Sequence, residues 1–352
     1  MTTPTVTYAE YSRPSNITTN ARKMLSLLWL LPVFLFTDLV VGMRDIDVGS
    51  DTAVYAMVFR EMRHGLAQSR FEPGFLLLTR FLSGMGVSLK VYQCVLFGLL
   101  LLATVLASRK YFDYLGRTRG YMTFLSASLM FMLLSPMFVN ASINAVRQGL
   151  ASLPVFIALL AFHQRQWRDF FIYGAIACCF HYSSLVYLAC APLLLINIKF
   201  LRVAAIIGFV AYCSGLTLVV VRAAAPFLYN SVMDYEFGSK YKSGVRIDFA
   251  VFSIFWYFLP LLLAGLVRKP YRQRLKDSTA VYLVMLLPFF LLGWGNFSNR
   301  YLLSAYLAIS LMMAAMFFHS RVSILRNPIL LRVGLFVSCA VFYYYVSNQV
   351  LV

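Results

Sequence analysis

The sequence predicts an all-α integral membrane protein that crosses the bilayer many times. Of its 352 residues, 61% are hydrophobic and only 12% are charged, whereas a soluble domain has about 45–50% apolar and about 25% charged residues. The 31 Lys and Arg residues outnumber the 13 Asp and Glu, and they lie in short clusters between long apolar segments. This charge distribution follows the positive-inside rule of membrane proteins, and it lacks the single basic face that nucleic acid binding requires.

Most apolar segments are near the length of about 20 residues that a membrane helix needs. We predict a cytoplasmic tail over residues 1–23 and one polytopic membrane domain over 24–348, with about eleven membrane helices. The clear spans are 24–43, 91–108, 120–139, 203–221, 249–267, 279–296, 301–319 and 331–348.

Two segments are predicted to be re-entrant or broken. Residues 74–87 are apolar but short and are interrupted by Arg80, so we expect them to dip without crossing. Residues 169–197 are too long for one span and carry a polar run from His181, so we predict two short helices that meet there. The N-terminus is then inside and the C-terminus outside; a single crossing would place the basic cluster 268–274 outside, against the rule. Because irregular backbone at membrane depth needs protein or water around it, we expect His181 to line a cavity open to the outside.

Acidic residues are concentrated on the predicted outer face. Two outer segments, 44–90 and 223–248, are expected to cover a site, and Ser50 is expected to cap a short surface helix. A single carboxylate in these segments is explained as a solvated loop residue. The concentration of carboxylates on one side of the membrane favours a functional site there. Eight of the 13 fall in these segments: Asp45, Asp47, Asp51, Glu61, Glu72, Asp234, Glu236 and Asp248.

Two arginines stand in polar clusters at the predicted outer ends of helices. Asn144, Arg147 and Gln148 share one helical face by their spacing, and Arg300 closes a similar cluster that begins at Asn296. An arginine inside the membrane costs about 3 kcal/mol by insertion scales and usually faces an interior or an aqueous cavity. Snorkelling to lipid headgroups is the alternative explanation.

His181 is the histidine that lies within an apolar region. Histidine is the side chain best suited to proton transfer near neutral pH, although a hydrogen-bonded core histidine is the simpler interpretation. The six cysteines lie in apolar stretches, and no cluster has metal-ligand spacing. We therefore predict no metal and no cofactor.

Four motifs occur in a distinctive order. They are Gly49-Ser50-Asp51-Thr52 followed by Tyr55 and Phe59, then Glu72-Pro73-Gly74-Phe75, then Asn144-Ala145-Val146-Arg147-Gln148-Gly149-Leu150-Ala151, then Phe180-His181-Tyr182-Ser183-Ser184. In this order and spacing, over about residues 30–310, the chain resembles the EpsG family of bacterial exopolysaccharide proteins, which belongs with the Wzy-type polysaccharide polymerases.

The resemblance implies a glycosyltransferase in the bacterial plasma membrane. Such proteins transfer a growing glycan from undecaprenyl diphosphate onto a single lipid-linked repeat unit at the outer face of the membrane, in the periplasm or at the cell exterior. The substrate would be undecaprenyl-diphosphate-linked oligosaccharide within the lipid bilayer, and a chain-length regulator is a further candidate partner. No nucleic acid is expected to bind.

The outer-face residues fit this chemistry. Arg147 and Arg300, with Arg44 as a third candidate, would bind the diphosphate, because guanidinium groups suit bidentate phosphate contacts. His181, Asp51 and Glu72 are the candidates for the base that accepts the proton of the attacking hydroxyl. We favour His181, and Asp51 is an alternative that would instead orient sugar hydroxyls. The candidate sugar contacts are Asn144, Gln148, Tyr55 and Tyr182.

Three other functions fit parts of the sequence. A flippase for the lipid-linked unit would need a basic cavity, but we expect it to show charges along both halves and an internal repeat. A membrane O-acyltransferase acting on polysaccharide would use one intramembrane histidine, although no motif for an acyl-donor route is evident. A non-catalytic scaffold leaves the membrane arginines unexplained.

Overall fold

The computed structural model describes residues 16–65, 71–233, 244–295 and 298–350, with side chains from Leu28 onward. Within these ranges the regular structure is helical, apart from one isolated bridge between Val267 and Ser320. The predicted all-α class is therefore confirmed. The α-helices are α1 Asn16–Gly42, α2 Thr52–Arg63, α3 Pro73–Gly84, α4 Leu89–Tyr114, α5 Tyr121–Leu133, α6 Pro136–Ile143, α7 Val146–His163, α8 Trp167–Phe180, α9 Ser184–Ala189, α10 Ile198–Cys213, α11 Leu216–Ala224, α12 Pro226–Met233, α13 Ile247–Leu262, α14 Lys269–Leu292, α15 Arg300–Phe318 and α16 Pro328–Ser347.

The helices confirm a polytopic membrane protein. Among the described residues, six helices are long and apolar enough to cross a bilayer: α4, α7, α13 with its 3₁₀ extension to Leu266, α14, α15 and α16. Two bent pairs, α5 with α6 at 80° and α10 with α11 at 89°, raise the number to eight if each pair is one span. The predicted count of about eleven is not confirmed, because it also included shorter apolar segments such as Ser184–Leu195.

The two unusual segments have the predicted local form. Helix α3 has 12 residues, too few to cross a bilayer. Helix α8 ends at Phe180, His181 adopts an extended conformation, and α9 begins at Ser184. The break at His181 is therefore confirmed. The orientation with the N-terminus inside and the C-terminus outside stays a prediction, and residues 1–15 of the predicted tail lie outside the described residues.

Helix α7 lies at the centre of the bundle and packs against α4, α8 and α15. Small residues allow this close packing, which is the usual basis of helix association in membranes. An added Cβ at Gly149 would lie 2.7 Å from the carbonyl oxygen of Ala141, so α6 and α7 approach closely. Ser304 donates a hydrogen bond of 2.9 Å to Ser152 and joins α15 to α7. The outer helices α13 and α16 have only 28% and 33% of their apolar windows buried, as is usual for helices that face lipid.

A break between α6 and α7 positions the predicted polar cluster. The backbone N–H groups of Asn144 and Ala145 both donate to the carbonyl oxygen of Asn140, at 2.9 and 2.8 Å, and α7 starts at Val146. The chain therefore changes direction at Asn144. This places Asn144 at the end of one helix and Arg147 in the first turn of the next.

Candidate active site

The loop before α2 docks on the break between α6 and α7. The hydroxyl of Thr52 donates to the carbonyl oxygen of Ile143 at 2.8 Å. Gly49 has a φ of +90°, and a Cβ there would lie 2.8 Å from the same carbonyl oxygen. Glycine is therefore required for this close approach.

Asn144 holds the loop through its side chain. Its Oδ1 accepts hydrogen bonds from the hydroxyl of Ser50 at 2.7 Å and from the backbone N–H of Asp51 at 3.0 Å. The hydroxyl of Tyr55 donates to its backbone carbonyl oxygen at 3.2 Å. The expectation that Ser50 caps α2 is wrong, because Asp51 occupies the N-cap position and makes no side-chain cap hydrogen bond. The Ser50 hydroxyl donates to the side chain of Asn144 instead.

A second cluster joins three of the predicted residues from distant parts of the chain. Nη1 of Arg147 donates to Oε2 of Glu72 at 2.5 Å, and Nδ1 of His181 lies 2.6 Å from Oε1 of the same carboxylate. The Glu72 side chain is 4% exposed, whereas those of Arg147 and His181 are 18% and 21% exposed. A buried carboxylate thus links two groups that solvent can reach.

The start of α3 fixes Glu72 beside α8. Pro73 occupies the first turn of α3, where its missing N–H costs nothing. An added Cβ at Gly74 would lie 2.8 Å from the carbonyl oxygen of Cys179, so α3 and α8 approach closely. The backbone N–H of Tyr182 donates to Oε1 of Glu72 at 3.3 Å. Tyr182 thus contacts the cluster through its backbone, and its side chain is exposed.

Glu72 is ionised at neutral pH. Burial alone would raise the pKa of its carboxyl group, but the hydrogen bond with His181 and the positive charge of Arg147 lower that pKa to about 2. A carboxylate with so low a pKa is a poor proton acceptor at neutral pH. This property favours a positioning role for Glu72 over the role of base.

The second arginine forms its own ion pair with a predicted residue. Nη2 of Arg300 lies 3.0 Å from Oδ2 of Asp51, and the two side chains are 25% and 27% exposed. Nε2 of Gln148 donates to the backbone carbonyl oxygen of Arg300. Helices α7 and α15 are therefore tied together at this end.

Tyr55 lies between the two ion pairs. Burial and then the negative charge of Asp51 raise the pKa of its hydroxyl, while Arg147 and Arg300 both act to lower it. Charges that act on one hydroxyl in this way lie close to it, because Coulomb interactions weaken with distance. Arg147 and Arg300, which belong to two different helices, therefore both lie near Tyr55. Their joint binding of a diphosphate stays a prediction.

Arg44 takes part in neither of these ion pairs, although its charge interacts with the Tyr55 hydroxyl. Its Nη1 donates to the carbonyl oxygen of Val41 at 2.6 Å, and the residue is 9% exposed. Burial lowers the pKa of Arg44 to about 10, so it remains protonated at neutral pH. Asn296 and residues 234–243 of the segment 223–248, which is predicted to cover the site, lie outside the described residues.

Two cavities lie away from the charged cluster. One, of about 420 Å³, is at the opposite end of α7 and is lined by residues that include Lys110, Gln164 and Asp169. The other, of about 280 Å³, lies between α13 and α15. Neither lining includes His181, so the cavity expected beside that residue stays a prediction. Among the described residues, no group of three or more His, Cys, Asp or Glu side chains is arranged for a metal ion, and metal independence likewise stays a prediction.

Phe71 is a site residue that the sequence analysis missed. The Arg147 guanidinium carbon lies 4.1 Å from the centre of its ring, a distance at which cation–π attraction holds the guanidinium in place. Its position directly before Glu72 was the available clue. An aromatic residue in a chain with 31 phenylalanines is too common to single out.

The fold and this cluster define a polytopic helical membrane protein with ionised side chains gathered at one end of its central helices. The model of the EpsG family matches residues 27–351, nearly the whole chain. The chain belongs to the EpsG family, a Wzy-like polymerase family. Membership suggests a polysaccharide polymerase-type function in a membrane. Searches among curated proteins and among solved structures gave no match.

Proposed function

We propose that the protein polymerises polysaccharide repeat units carried on undecaprenyl diphosphate, at the outer face of the bacterial plasma membrane. The observation that carries this proposal is the cluster of Arg147, Glu72 and His181, which brings a phosphate-binding group and a proton acceptor together at a membrane helix end. The ion pair of Arg300 with Asp51 adds a second guanidinium beside it.

His181 is the proposed base. Glu72 accepts the hydrogen bond from Nδ1, which fixes the tautomer in which Nε2 is unprotonated and accepts a proton. Glu72 is therefore a positioning residue, in the way that a carboxylate orients the histidine of a hydrolase triad. This assignment narrows the three candidate bases of the sequence analysis to one.

The transfer makes one bond and breaks one. The acceptor sugar hydroxyl attacks the anomeric carbon of the donor glycan and gives its proton to Nε2 of His181. The bond from that carbon to the diphosphate oxygen breaks, and undecaprenyl diphosphate leaves with the electron pair. The imidazolium then returns its proton to water. No nucleotide sugar is required, because the lipid diphosphate is itself the leaving group. The two arginines, rather than a metal ion, are proposed to take up its charge.

Arg147 and Arg300 stabilise the charge that develops on the departing diphosphate. Nε of Arg147 is buried without a hydrogen-bond partner among the described residues, and a buried unpaired donor is costly. A phosphate oxygen would satisfy it. Glu72 and Phe71 hold this guanidinium in one orientation before substrate binds, so little side-chain entropy is lost on binding.

The acceptor sugar is placed by the loop that contains Asp51. Asn144 fixes this loop through the Asp51 N–H, and the Asp51 carboxylate is partly exposed. Carboxylate and amide groups bind sugar hydroxyls as hydrogen-bond acceptors and donors. Asp51 and the exposed ring of Tyr182 are the proposed sugar contacts. Gln148 is buried and its amide N–H donates to the Arg300 carbonyl oxygen, so its predicted sugar contact is not kept. Arg44 remains a proposed outer contact for the lipid diphosphate.

Deleting the gene separates this function from its alternatives. Loss of a polymerase leaves single lipid-linked repeat units on the outer face while long polymer disappears. Loss of a flippase traps the units inside, and loss of an O-acyltransferase leaves polymer length unchanged. As the control, restoring the wild-type gene should restore long polymer. If the deletion strain instead traps repeat units inside or keeps polymer of unchanged length, the proposal is contradicted.

A kinetic test addresses His181. His181→Gln keeps a side chain that hydrogen-bonds to Glu72 but cannot act as a base near neutral pH. It should lower kcat by about 100-fold or more, the usual contribution of general base catalysis, with KM nearly unchanged. His64→Gln, directly after the last residue of α2, is the matched control and should keep kcat. A kcat for His181→Gln within threefold of wild type would contradict the assignment.

A further inference from the structure

The cleft between α13 and α15 has no role in the proposed function as described above. It measures about 280 Å³, and its lining includes Met137, Phe252, Trp256, Tyr306 and Met313. Its floor is buried, while Phe252 at its rim is 47% exposed. Both α13 and α15 are candidate membrane spans, so the cleft opens sideways toward lipid.

The cleft results from the bend between α5 and α6. The chain turns by 80° at Leu134 and Ser135, so α6 departs from the line of α5 and leaves space beside α15. Helix α13 does not fill this space. The hydroxyls of Tyr306 and Ser253 hold α13 to α15 by a hydrogen bond of 3.0 Å, which keeps the two walls of the cleft together.

The lining suits a hydrocarbon chain. The hydroxyl of Ser310 donates to the carbonyl oxygen of Phe131 at 3.2 Å, and that of Tyr306 is bonded to Ser253, so both are used within the protein. The indole Nε1 of Trp256 is buried without a partner among the described residues. An indole N–H donates weakly to a π system. A chain with regularly spaced double bonds supplies such acceptors, and a saturated chain does not.

Helix α6 connects the cleft to the charged cluster. Met137 lines the cleft from the first turn of α6. Asn144, which holds the loop of Asp51, directly follows the last residue of α6, about 10 Å further along the helix. When the diphosphate of the substrate is bound at Arg300 and Arg147, the first isoprene units of its lipid chain can therefore reach the cleft. The volume fits a section of chain rather than a whole lipid.

We propose that this cleft binds the diphosphate-proximal isoprene units of the lipid-linked substrate. The inference rests on the proposed function for the identity of the substrate, and it adds the place where the lipid chain lies. Binding of the chain at this site would fix the direction from which the diphosphate enters the charged cluster.

Photolabelling of the wild-type protein in nanodiscs tests the proposal. The probe is undecaprenyl diphosphate with a diazirine in its second isoprene unit, and peptide mass spectrometry locates the label. We expect the label on cleft residues of α6, α13 and α15, reduced at least fivefold by excess undecaprenyl diphosphate. Excess dioleoyl phosphatidylglycerol should not reduce it. Equal competition by the phospholipid, or label spread over other lipid-facing helices, would overturn the proposal.

Two variants make the test specific. Met313→Trp fills the cleft and should lower labelling at least fivefold, whereas Val337→Trp, on the lipid-exposed face of α16, should not. Unchanged labelling of Met313→Trp would overturn the proposal. Labelling does not require turnover. Specific label in the cleft of a protein that forms no polymer would therefore refute the proposed function while the cleft remains an isoprenoid site.

Discussion

Replacing Glu72 by glutamine removes the negative charge that joins Arg147 to His181. The amide oxygen of Glu72→Gln still accepts the hydrogen bond from Nδ1 of His181. The amide nitrogen, however, then faces Nη1 of Arg147, which lies 2.5 Å from the carboxylate oxygen in the wild type. Two donors meet there, and a partly buried guanidinium loses its counter-ion.

The size of the effect follows from the pKa of Glu72. Folding lowers this pKa from 4.5 to about 2, and each unit corresponds to about 1.4 kcal/mol, so the ionised carboxylate stabilises the fold by about 3 kcal/mol. Because the folded pKa is the lower one, this contribution is fully present above about pH 4.5 and is lost as the pH falls toward 2. Glu72→Gln should therefore be about 3 kcal/mol less stable at pH 7, with a difference that shrinks below pH 4.5.

Unfolding followed by tryptophan fluorescence across pH measures this difference. Glu61→Gln, on α2, is the matched control, because Glu61 forms no ion pair among the described residues. Glu72→Asp should recover part of the stability. If Glu72→Gln and Glu61→Gln unfold alike at pH 7, or if the difference does not depend on pH, the reasoning about this cluster is refuted.

Three further substitutions test how the site is held together. Asn144→Ala removes two hydrogen bonds to the loop of Asp51 and should lower the free energy of unfolding by about 2 kcal/mol. Asn348→Ala, at the end of α16, is the control. An equal loss of stability in the two variants would contradict the role of the Asn144 side chain. Gly74→Ala places a Cβ 2.8 Å from the carbonyl oxygen of Cys179 and should lower the free energy of unfolding by about 1–3 kcal/mol. Gly84→Ala, with no atom within 4 Å of its Cβ, should leave the stability unchanged. Equal unfolding midpoints for the two variants would refute the close approach of α3 to α8. Phe71→Leu removes the ring beside Arg147 and should weaken binding of inorganic diphosphate, measured by calorimetry, by about 1 kcal/mol. Phe171→Leu, at an exposed position, should leave this affinity unchanged. Identical affinities of the two variants would argue against a cation–π contribution from Phe71.

Local sequence patterns predicted the parts of the site that single segments determine. The polar residues from His181 inside an overlong apolar segment predicted the break between α8 and α9. The spacing of Asn144, Arg147 and Gln148 predicted one polar face. Both depend on residues close together in the chain, where helix geometry alone decides which side chains are neighbours.

The partners in the charged cluster could not be predicted in the same way. Glu72 lies 75 positions before Arg147 and 109 before His181, and no local periodicity encodes such pairings. The close approach of Gly74 to Cys179 creates them, and it depends on how α3 packs against α8. Three candidate bases could therefore be proposed from the sequence, but the fact that one of them orients another depends on the packing of α3 against α8.

The bent helices show a limit of hydropathy. Residues 120–139 and 203–221 each have the length and composition of one straight span, yet they contain bends of 80° and 89°. Pro136, in the first turn of α6, and Gly215, with a φ of +76°, mark the bends. Hydropathy averages over such residues, so the cleft that the first bend creates was not visible in the composition of either helix.

Chain growth by the purified protein, supplied with one defined undecaprenyl-diphosphate-linked oligosaccharide, tests the central claim most directly. The wild type and Arg80→Ala, an exposed arginine on α3, should both extend the substrate into long polymer. Arg147→Ala, correctly folded in the same nanodiscs, should leave single repeat units. Polymer of normal length from Arg147→Ala would show that the chemistry takes place elsewhere.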